Sequence, residues 1–380
     1  MRCTVPPQPL AFGLAAVSRM VSPRATLPIL GNVLVECQGS ELRVAATNLD
    51  LSLRHELSAE VEDPGRVTVP ARILSEFVAA LPDAPLSWSL DTDTQTVHLS
   101  CAGFDAHIRG VDAAEFPPLP TLDDGTQLDL EATVLARAIE QTVLAASSDE
   151  ARPLYTGVLT EIAGRAVTLV ATDGHRLAVR RLTAGGREAA AEGSEVPTQT
   201  IILPARALAE LGRLLRGQAA GTMVRLAVSA SQTQASFDLP GFQLHTRLIE
   251  GTYPSYTKVV PTSGQSTVRL ANRELLATAR VVALFARDAA NVVKLRCEPG
   301  SVTISAATNE VGDNQASVPA TMTGEPLGIA FNARYLLDVL QILESEEVEL
   351  LLNGSLAPGL VRAVGDDSYR YVIMPVRVAL

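Results

Sequence analysis

The sequence predicts an α+β fold: three similar domains in tandem, each laying two helices against antiparallel sheet. Three observations lead there. The chain has 380 residues with 47% hydrophobic content, enough for two or three domains that each bury a core. A set of features recurs in the same order with a period of about 125 residues, too long for a solenoid turn and right for a domain. Within each copy, alternating strand-like runs are interrupted by single helix-like stretches, the pattern of α+β architecture. The expected domains span 1–122, 126–252 and 262–380.

Each copy opens with a helix-like stretch, at Gln8 to Val21, Glu131 to Ala146 and Asn272 to Arg287. An alternating strand follows and ends in an Ala-Thr-polar corner: Ala46-Thr47-Asn48, Ala171-Thr172-Asp173 and Ala307-Thr308-Asn309. Thr, Asn and Asp suit such a corner because their side chains bond local backbone. Next, a strand runs straight into a second helix, at Val69-Pro70-Ala71-Arg72, Leu203-Pro204-Ala205-Arg206 and Phe331-Asn332-Ala333-Arg334. Proline or asparagine ahead of Ala-Arg is a good helix start. The second helices are amphipathic, as Leu336, Val339, Leu340 and Leu343 show at i, i+3, i+4 and i+7. The first two copies close on proline-rich exits, Phe116-Pro117-Pro118-Leu119-Pro120 and Tyr253-Pro254 through Pro261, while the third stops at Tyr371 to Arg377.

Composition narrows the function. With 4% aromatic and 19% charged residues, the chain is neither disordered nor rich in platforms for stacking bases. No apolar run approaches the roughly 18 residues of a bilayer crossing, and the start lacks a signal peptide's apolar core, so a cytoplasmic protein is expected. The four cysteines, Cys3, Cys37, Cys101 and Cys297, form no C-x-x-C pair and have no histidine at zinc-ligand spacing; they read as buried structural thiols, and neither a metal nor a cofactor is expected. A net charge of -11 speaks against plain electrostatic binding of nucleic acid.

Tandem copies offer a way around that conflict. Compact units of about 125 residues have a radius of gyration near 14 Å and measure roughly 35 Å across. Six of them, a pair of chains, would enclose an opening wide enough for a duplex roughly 20 Å thick, whereas three would not. The helical stretches carry more arginine than acid. Arg273, Arg280 and Arg287 recur every seven residues and share a helix face; Arg206 and Arg213 repeat the spacing, joined by Arg216. Helices lining a bore would present this charge to phosphates while the acidic exterior repels stray DNA. The alternative is a solvated face with local pairs such as Arg206 to Glu210; charge alone leaves both open.

The segments Thr26 to Asn32, Val69 to Arg72, Ala171-Thr172-Asp173-Gly174-His175-Arg176-Leu177-Ala178-Val179, Tyr335 to Leu340 and Tyr371 to Val378 closely resemble the bacterial DNA sliding clamp, the beta subunit of DNA polymerase III, in the right order over nearly the whole length. The resemblance implies the DNA clamp fold, a ring-shaped head-to-tail homodimer around double-stranded DNA without sequence preference, and a processivity factor that catalyses nothing. It implies partners that bind through short peptide motifs: the polymerase III alpha subunit, clamp loader, other polymerases, ligase and repair proteins, with no membrane and a place near the nucleoid.

Residue by residue, the family's peptide pocket maps onto Arg152, Tyr155, Thr172, Gly174, His175, Arg176, Leu177, Pro254, Lys258 and Val259, with Asn332, Tyr335, Val372, Ile373, Met374, Pro375, Val376 and Arg377 from the third domain. Leu177, Val259, Ile373, Met374 and Val376 would form an apolar slot, with His175, Arg176 and Arg377 as a polar rim. Tyr155 stands where a smaller aliphatic residue is frequent. Arg24 matches the family's basic loop residue, and the DNA-facing set expected is Arg24, Arg72, Arg137, Arg206, Arg213, Arg216, Arg273, Arg280 and Arg287. Dimer contacts are expected at Ile73, Leu74, Ile108, Leu284 and Phe285, with Ala106 where a large apolar side chain often packs.

Two other classes fit less well. A magnesium nuclease would draw on Asp91/Asp93, Asp123/Asp124 or Asp366/Asp367, yet these pairs sit in polar turns and do not recur between copies. His175 beside Asp173 lacks a neighbouring nucleophile motif. A peptide-binding scaffold that never encircles DNA would share the pocket and not need the basic bore.

Overall fold

The structure is a computed structural model; it describes residues 1–21, 27–122, 125–185, 198–287, 290–308 and 312–378. The first copy comprises β1 (Arg2–Val5), α1 (Pro7–Val17), β2 (Asn32–Gln38), β3 (Glu41–Thr47), β4 (Leu51–Ser58), β5 (Glu60–Asp63), β6 (Gly65–Pro70), α2 (Ala71–Ala79), β7 (Leu86–Asp91), β8 (Thr96–Cys101) and β9 (Phe104–Arg109). The second comprises β10 (Thr126–Glu131), α3 (Ala132–Val143), β11 (Gly157–Ala163), β12 (Ala166–Thr172), β13 (Arg176–Thr183), β14 (Gln199–Pro204), α4 (Ala205–Leu215), β15 (Met223–Val228), β16 (Gln234–Leu239) and β17 (Phe242–Arg247). The third comprises β18 (Ser266–Ala271), α5 (Asn272–Ala286), β19 (Val292–Glu298), β20 (Gly300–Thr308), β21 (Gly312–Thr323), β22 (Leu327–Asn332), α6 (Ala333–Ile342), β23 (Glu347–Leu352), β24 (Gly359–Ala363) and β25 (Tyr369–Ile373).

The helices form where the spacing says they should. Pro7 occupies the first turn of α1, where its missing N–H costs nothing. That helix ends at Val17, earlier than the pattern predicts, and tightens into a 3-10 turn over Ser18–Met20, where the Ser18 hydroxyl meets that of Ser75 at 2.8 Å. At Asn332 the side-chain Oδ1 accepts the Arg334 N–H at 2.9 Å and caps α6. The inward faces are apolar: Ala71, Leu74 and Val78 on α2, and Ala333, Leu336, Val339 and Leu340 on α6. Within each terminal copy the two helices pack together, α1 on α2 and α5 on α6. All four cysteines are buried and unbridged, and Cys37 donates its thiol proton to Cys3.

By contacts the chain divides into two compact units, Met1–Ala132 with Gly217–Leu248, and Thr133–Arg216 with Ile249–Leu380. The division runs through the second copy because its strands join two different sheets. In the first unit an eight-stranded sheet runs β10-β15-β16-β17-β4-β3-β2-β6, so β17 of the second copy pairs with β4 of the first. In the second unit a twelve-stranded sheet runs from β14 through β13 and β25 to β22, so β25 of the third copy pairs with β13 of the second. Both joins are antiparallel and in the same register. Counting four residues from the corner threonines, Leu51 after Thr47 pairs with Thr246, and Arg176 after Thr172 pairs with Ile373.

Each join also carries a polar clip at one shared position. His55 meets the Gly241 carbonyl through Nδ1 at 2.7 Å and stacks on Phe242 with ring centroids 4.3 Å apart. Arg180, its counterpart, donates to Asp366 at 3.2 Å and to the Ser368 hydroxyl at 2.6 Å.

Two edges remain. Strand β9 ends the five-stranded sheet β5-β1-β7-β8-β9. The Gly312–Ser317 half of β21 pairs on one side with β20, while β18 joins only its far end at Ala320–Thr323. By position in the repeat these are the third pair of joining strands, and among the described residues they have no partner.

Candidate functional site

The loop from Thr172 to Arg176 is built by its own side chains. Thr172 Oγ1 accepts the Gly174 N–H at 3.0 Å and donates to the Arg176 carbonyl at 2.6 Å. Asp173 Oδ1 accepts the N–H groups of His175 at 2.8 Å and Arg176 at 3.0 Å. Gly174 takes a left-handed φ of 93° that a side chain would strain. The loop therefore presents His175 to solvent and turns Arg176 inward.

Arg176 organises the helix-facing side of the site. Its Nε bonds Asp173 Oδ2 at 3.1 Å, and its Nη1 pairs with Asp338 and donates to the Tyr371 hydroxyl at 3.2 Å. The guanidinium lies over the Tyr335 ring, 4.5 Å from the centroid. Burial works against its charge, but Tyr371 and Asp338 more than offset it, and its pKa is raised. Burial in turn raises the Tyr335 and Tyr371 phenols, so both remain neutral donors and acceptors.

The opposite side is apolar. Leu177 pairs with Val372 across β13 and β25, and both join Leu159, Val179, Leu351 and Leu360 in one buried cluster. Tyr253, Tyr256, Val259 and Val260, on the segment after β17, pack against that floor. The Tyr253 hydroxyl accepts the Thr172 N–H at 3.1 Å, and Tyr256 donates to Glu161 at 2.7 Å. Pro254 is half-buried and Lys258 exposed on the same segment. The tail is fastened by two backbone bonds, Met374 N–H to the His175 carbonyl and Val376 N–H to the Ala330 carbonyl, both 2.8 Å. Met374, Pro375 and Val376 are half-buried; Arg377 is exposed. At the rim, Arg152 bonds Asp149 at 3.1 Å and the Asp173 carbonyl at 3.2 Å, and its guanidinium sits 5.2 Å from the Tyr155 ring centroid. A tyrosine at 155 thus gives Arg152 a surface that an aliphatic residue would lack.

The structure brings all the described pocket residues into one compact unit, with a correction at Ile373. Its side chain is fully buried and, paired with Arg176, lies on the opposite face from Val372, so it backs the site instead of lining the slot. Of the expected DNA-facing set, Arg24 lies outside the described residues. Arg206, Arg273, Arg280 and Arg287 are exposed. Arg72 is exposed with a Glu76 pair at 2.9 Å. Glu210 pairs with Arg213, three residues on; Arg216 is exposed. Arg137 departs from expectation: it pairs with Glu344 and donates to the Ile342 carbonyl at 3.0 Å, holding the end of α6, so little of its charge is left for phosphates.

Among the interface candidates, Ile73 and Leu284 are half-exposed and Phe285 is partly covered. Leu74 is 0% exposed, on the inward face of α2, and cannot touch a second chain; Ile108 is buried too, at 8%. Sequence reasoning missed Phe104, half-exposed on the edge strand β9. The signal was present: Gly103-Phe104-Asp105-Ala106-His107-Ile108-Arg109 repeats Gly241-Phe242-Gln243-Leu244-His245-Thr246-Arg247, the very strand that joins β4.

The acidic pairs are occupied by local structure. Asp91 accepts from the Asp93 N–H and the Thr94 hydroxyl, Asp366 from Ser368 and Arg180, and Asp367 pairs with Arg362; Asp123 and Asp124 lie outside the described residues. Among the described residues no three His, Cys, Asp or Glu side chains group as metal ligands, and no helix is long and apolar enough to cross a membrane.

Tandem α+β copies joined edge to edge, with a pocket whose wall is the chain's own fastened tail, define a clamp-type binding protein. The comparisons agree. The chain matches the N-terminal, central and C-terminal domains of the DNA polymerase III beta subunit over residues 1–120, 129–255 and 257–377. It is 34% identical to the beta sliding clamp of Synechocystis sp., over 97% of each chain, and 32% identical to that of Caulobacter vibrioides, over 100% of each. The crystal structure of the DNA polymerase sliding clamp from Bacillus subtilis superposes with a TM-score of 0.92 at 27% identity, over 100% of each chain. The chain belongs to the DNA polymerase III beta subunit family, the bacterial sliding clamps. It is a non-catalytic accessory subunit and processivity factor, in a family that encircles DNA as a homodimer and binds polymerase and other proteins.

Proposed function

We propose that two copies of this chain close head to tail by pairing β9 of one with the free half of β21 of the other, and that the resulting ring slides on duplex DNA. One observation carries this: the repeat makes two of its three sheet joins within the chain and leaves the third pair of edges open. Copying the register of those joins puts Phe104 opposite Ala316, Ala106 opposite Asn314, and His107 opposite Asp313. The side chain of Asn314 has a buried Oδ1 without a partner, as an unpaired edge awaiting a neighbour should. Ile73, Leu284 and Phe285 supply apolar surface beside these strands, with Leu74 and Ile108 supporting from within. The domains act as units of 1–122, 126–252 and 262–380.

On this reading Arg72, Arg206, Arg213, Arg216, Arg273, Arg280 and Arg287 face the duplex, and Arg24, by its match to the family's basic residue, joins them in contacting DNA. They meet phosphates loosely, so grip comes from enclosure. The pocket around Arg176 takes the short motifs of polymerase subunits, the clamp loader, ligase and repair proteins: Leu177, Val259 and Met374 receive apolar side chains, and His175, Arg152 and Arg377 meet the polar ones. Methionine suits a site with many clients because it repacks easily. Such a protein works in the cytoplasm, on the nucleoid.

The test is a cross-link. Under oxidation a variant with His107→Cys and Asp313→Cys should form covalent dimers and circular species only when both substitutions are present. Monomers throughout, with native mass measured as one chain at micromolar concentration, would reject the closure.

A further inference from the structure

Beneath the Phe116–Leu122 segment lies a cavity of about 560 Å³, and the sheet register makes it the counterpart of the floor of the peptide pocket. At the pocket the cross-strand row is Leu177, Val372, Leu360 and Leu351. At the cavity the same four positions are Ser52, His245, Ser236 and Ala227, and Val179 is replaced by Arg54. One repeat has an apolar floor that its covering segment fills with Tyr253, Tyr256 and Val259; the other has a polar floor that its proline-rich cover leaves open.

That floor has unmade bonds. Ser52 and His245 are 4% and 7% exposed, yet Ser52 Oγ, His245 Nδ1 and Arg54 Nε have no hydrogen-bond partner in the protein. Buried polar atoms are rarely left so, because desolvation without a partner is costly. Ser52, Arg54 and His245 all line this one space, and its volume is within the range of small-ligand pockets. Burial, the largest influence, holds the His245 pKa down, with Arg54 acting the same way and Asp238 against it. The ring is therefore neutral at neutral pH and donates from Nδ1 as one tautomer.

Charge selects the class of occupant. Arg54 and Arg66 are balanced by Glu36 and Asp238 around the same space; Arg54 also pairs with Glu56 at 3.2 Å through Nη2, leaving Nε, and Asp238 accepts from Gln243 at 2.6 Å. A dianion such as phosphate would meet two carboxylates; a single carboxylate matches the donors. Leu34, Phe116 and Leu119 form an apolar cluster alongside, suited to a short hydrocarbon body. We propose that this cavity is a second ligand site, taking one carboxylate with a short apolar body, either a free small acid or an acidic group presented by a partner peptide. The inference rests on register and unpaired donors, independently of the peptide pocket and of ring closure.

The test titrates the full-length protein by calorimetry with N-acetyl-leucinate, its neutral amide, inorganic phosphate, and a capped glycine peptide carrying one central glutamate. Saturable binding of N-acetyl-leucinate or of the glutamate peptide is expected, at least tenfold tighter than the amide or phosphate; which of the two wins tells the source. Arg54→Gln and the pair Ser52→Leu with His245→Val should each weaken it at least tenfold, with circular dichroism unchanged. Arg54→Gln keeps the carbon stem while removing the guanidinium charge and decides the matter should the double variant misfold. Met374→Ala, in the peptide pocket, should leave it unaltered. The site is overturned if the carboxylates do not bind, bind no better than the amide, or bind Arg54→Gln as well as the native chain, which would mean that water alone satisfies the floor.

Discussion

The backbone N–H of Met374 donates to the carbonyl of His175 over 2.8 Å, joining the chain's tail to the loop that Thr172 and Asp173 hold in shape. The pocket is thus assembled from segments about two hundred residues apart, and the tail is one of its walls. Removing Met374 to Leu380 deletes that wall and leaves the sheets intact, since β25 ends at Ile373. Affinity for a polymerase-derived peptide should fall at least a hundredfold, measured by fluorescence anisotropy, while sedimentation still shows a dimer.

Arg176 is the pocket's electrostatic centre. Arg176→Ala strands Asp173 and Asp338 beside the Tyr335 ring, and loss of one partner of a largely buried ion pair costs about 2–4 kcal/mol. Denaturant unfolding should register that loss and peptide binding should drop at least tenfold. Arg176→Lys keeps a charge but cannot reach Asp173, Asp338 and Tyr371 together, so it should recover only part of both.

Ile73 and Leu74 are neighbours with opposite exposure, the first half-exposed and the second buried. Ile73→Asp should weaken the dimer at least tenfold, read from the concentration dependence of sedimentation, with little effect on unfolding of the chain. Leu74→Ala should instead cost about 2–4 kcal/mol of stability and leave the dimer constant nearly unchanged.

The exposed arginines of α5 and its end should act on salt dependence. Replacing Arg273, Arg280 and Arg287 by alanine removes up to three phosphate contacts, so the slope of log affinity against log salt should flatten by about 2 to 3. Base-sequence preference should be absent before and after.

Two buried histidines predict the acid response. Burial holds the pKa of both His55 and His245 below the ordinary value of 6.5, so the unfolded chain binds protons that the folded chain refuses. Their stabilising effect is complete above pH 6.5 and declines as pH falls from there toward the folded values, at no more than roughly 2.7 kcal/mol per pH unit for two groups. Urea unfolding at pH 7.5 and 5.5 should show the loss, and His245→Val should reduce it.

Much of this was legible because the repeat is written in chemistry that turns require: the corner threonines end β3, β12 and β20, and the Pro-Ala-Arg and Asn-Ala-Arg starts open α2, α4 and α6. Other features depended on contacts that no local pattern encodes. Arg137 reads as surface charge on a helix, but Glu344 and the Ile342 carbonyl, more than two hundred residues on, absorb it. Ile373 reads as pocket lining until strand pairing fixes which face it takes. Leu74 could have been assigned inward from its spacing with Ala71 and Val78. The polar floor at Ser52 and His245 becomes visible only once strand register aligns it with Leu177 and Val372.

The claim on which the rest depends is topological: the protein holds DNA by surrounding it. The direct measurement is retention of clamp-loader-assembled protein on a closed circular duplex, followed by gel filtration before and after a single cut by a restriction nuclease. The account predicts stable retention on the circle in salt that abolishes direct binding, and release within minutes of linearisation. Equal retention on circular and linear DNA, or loss from both in that salt, would contradict it.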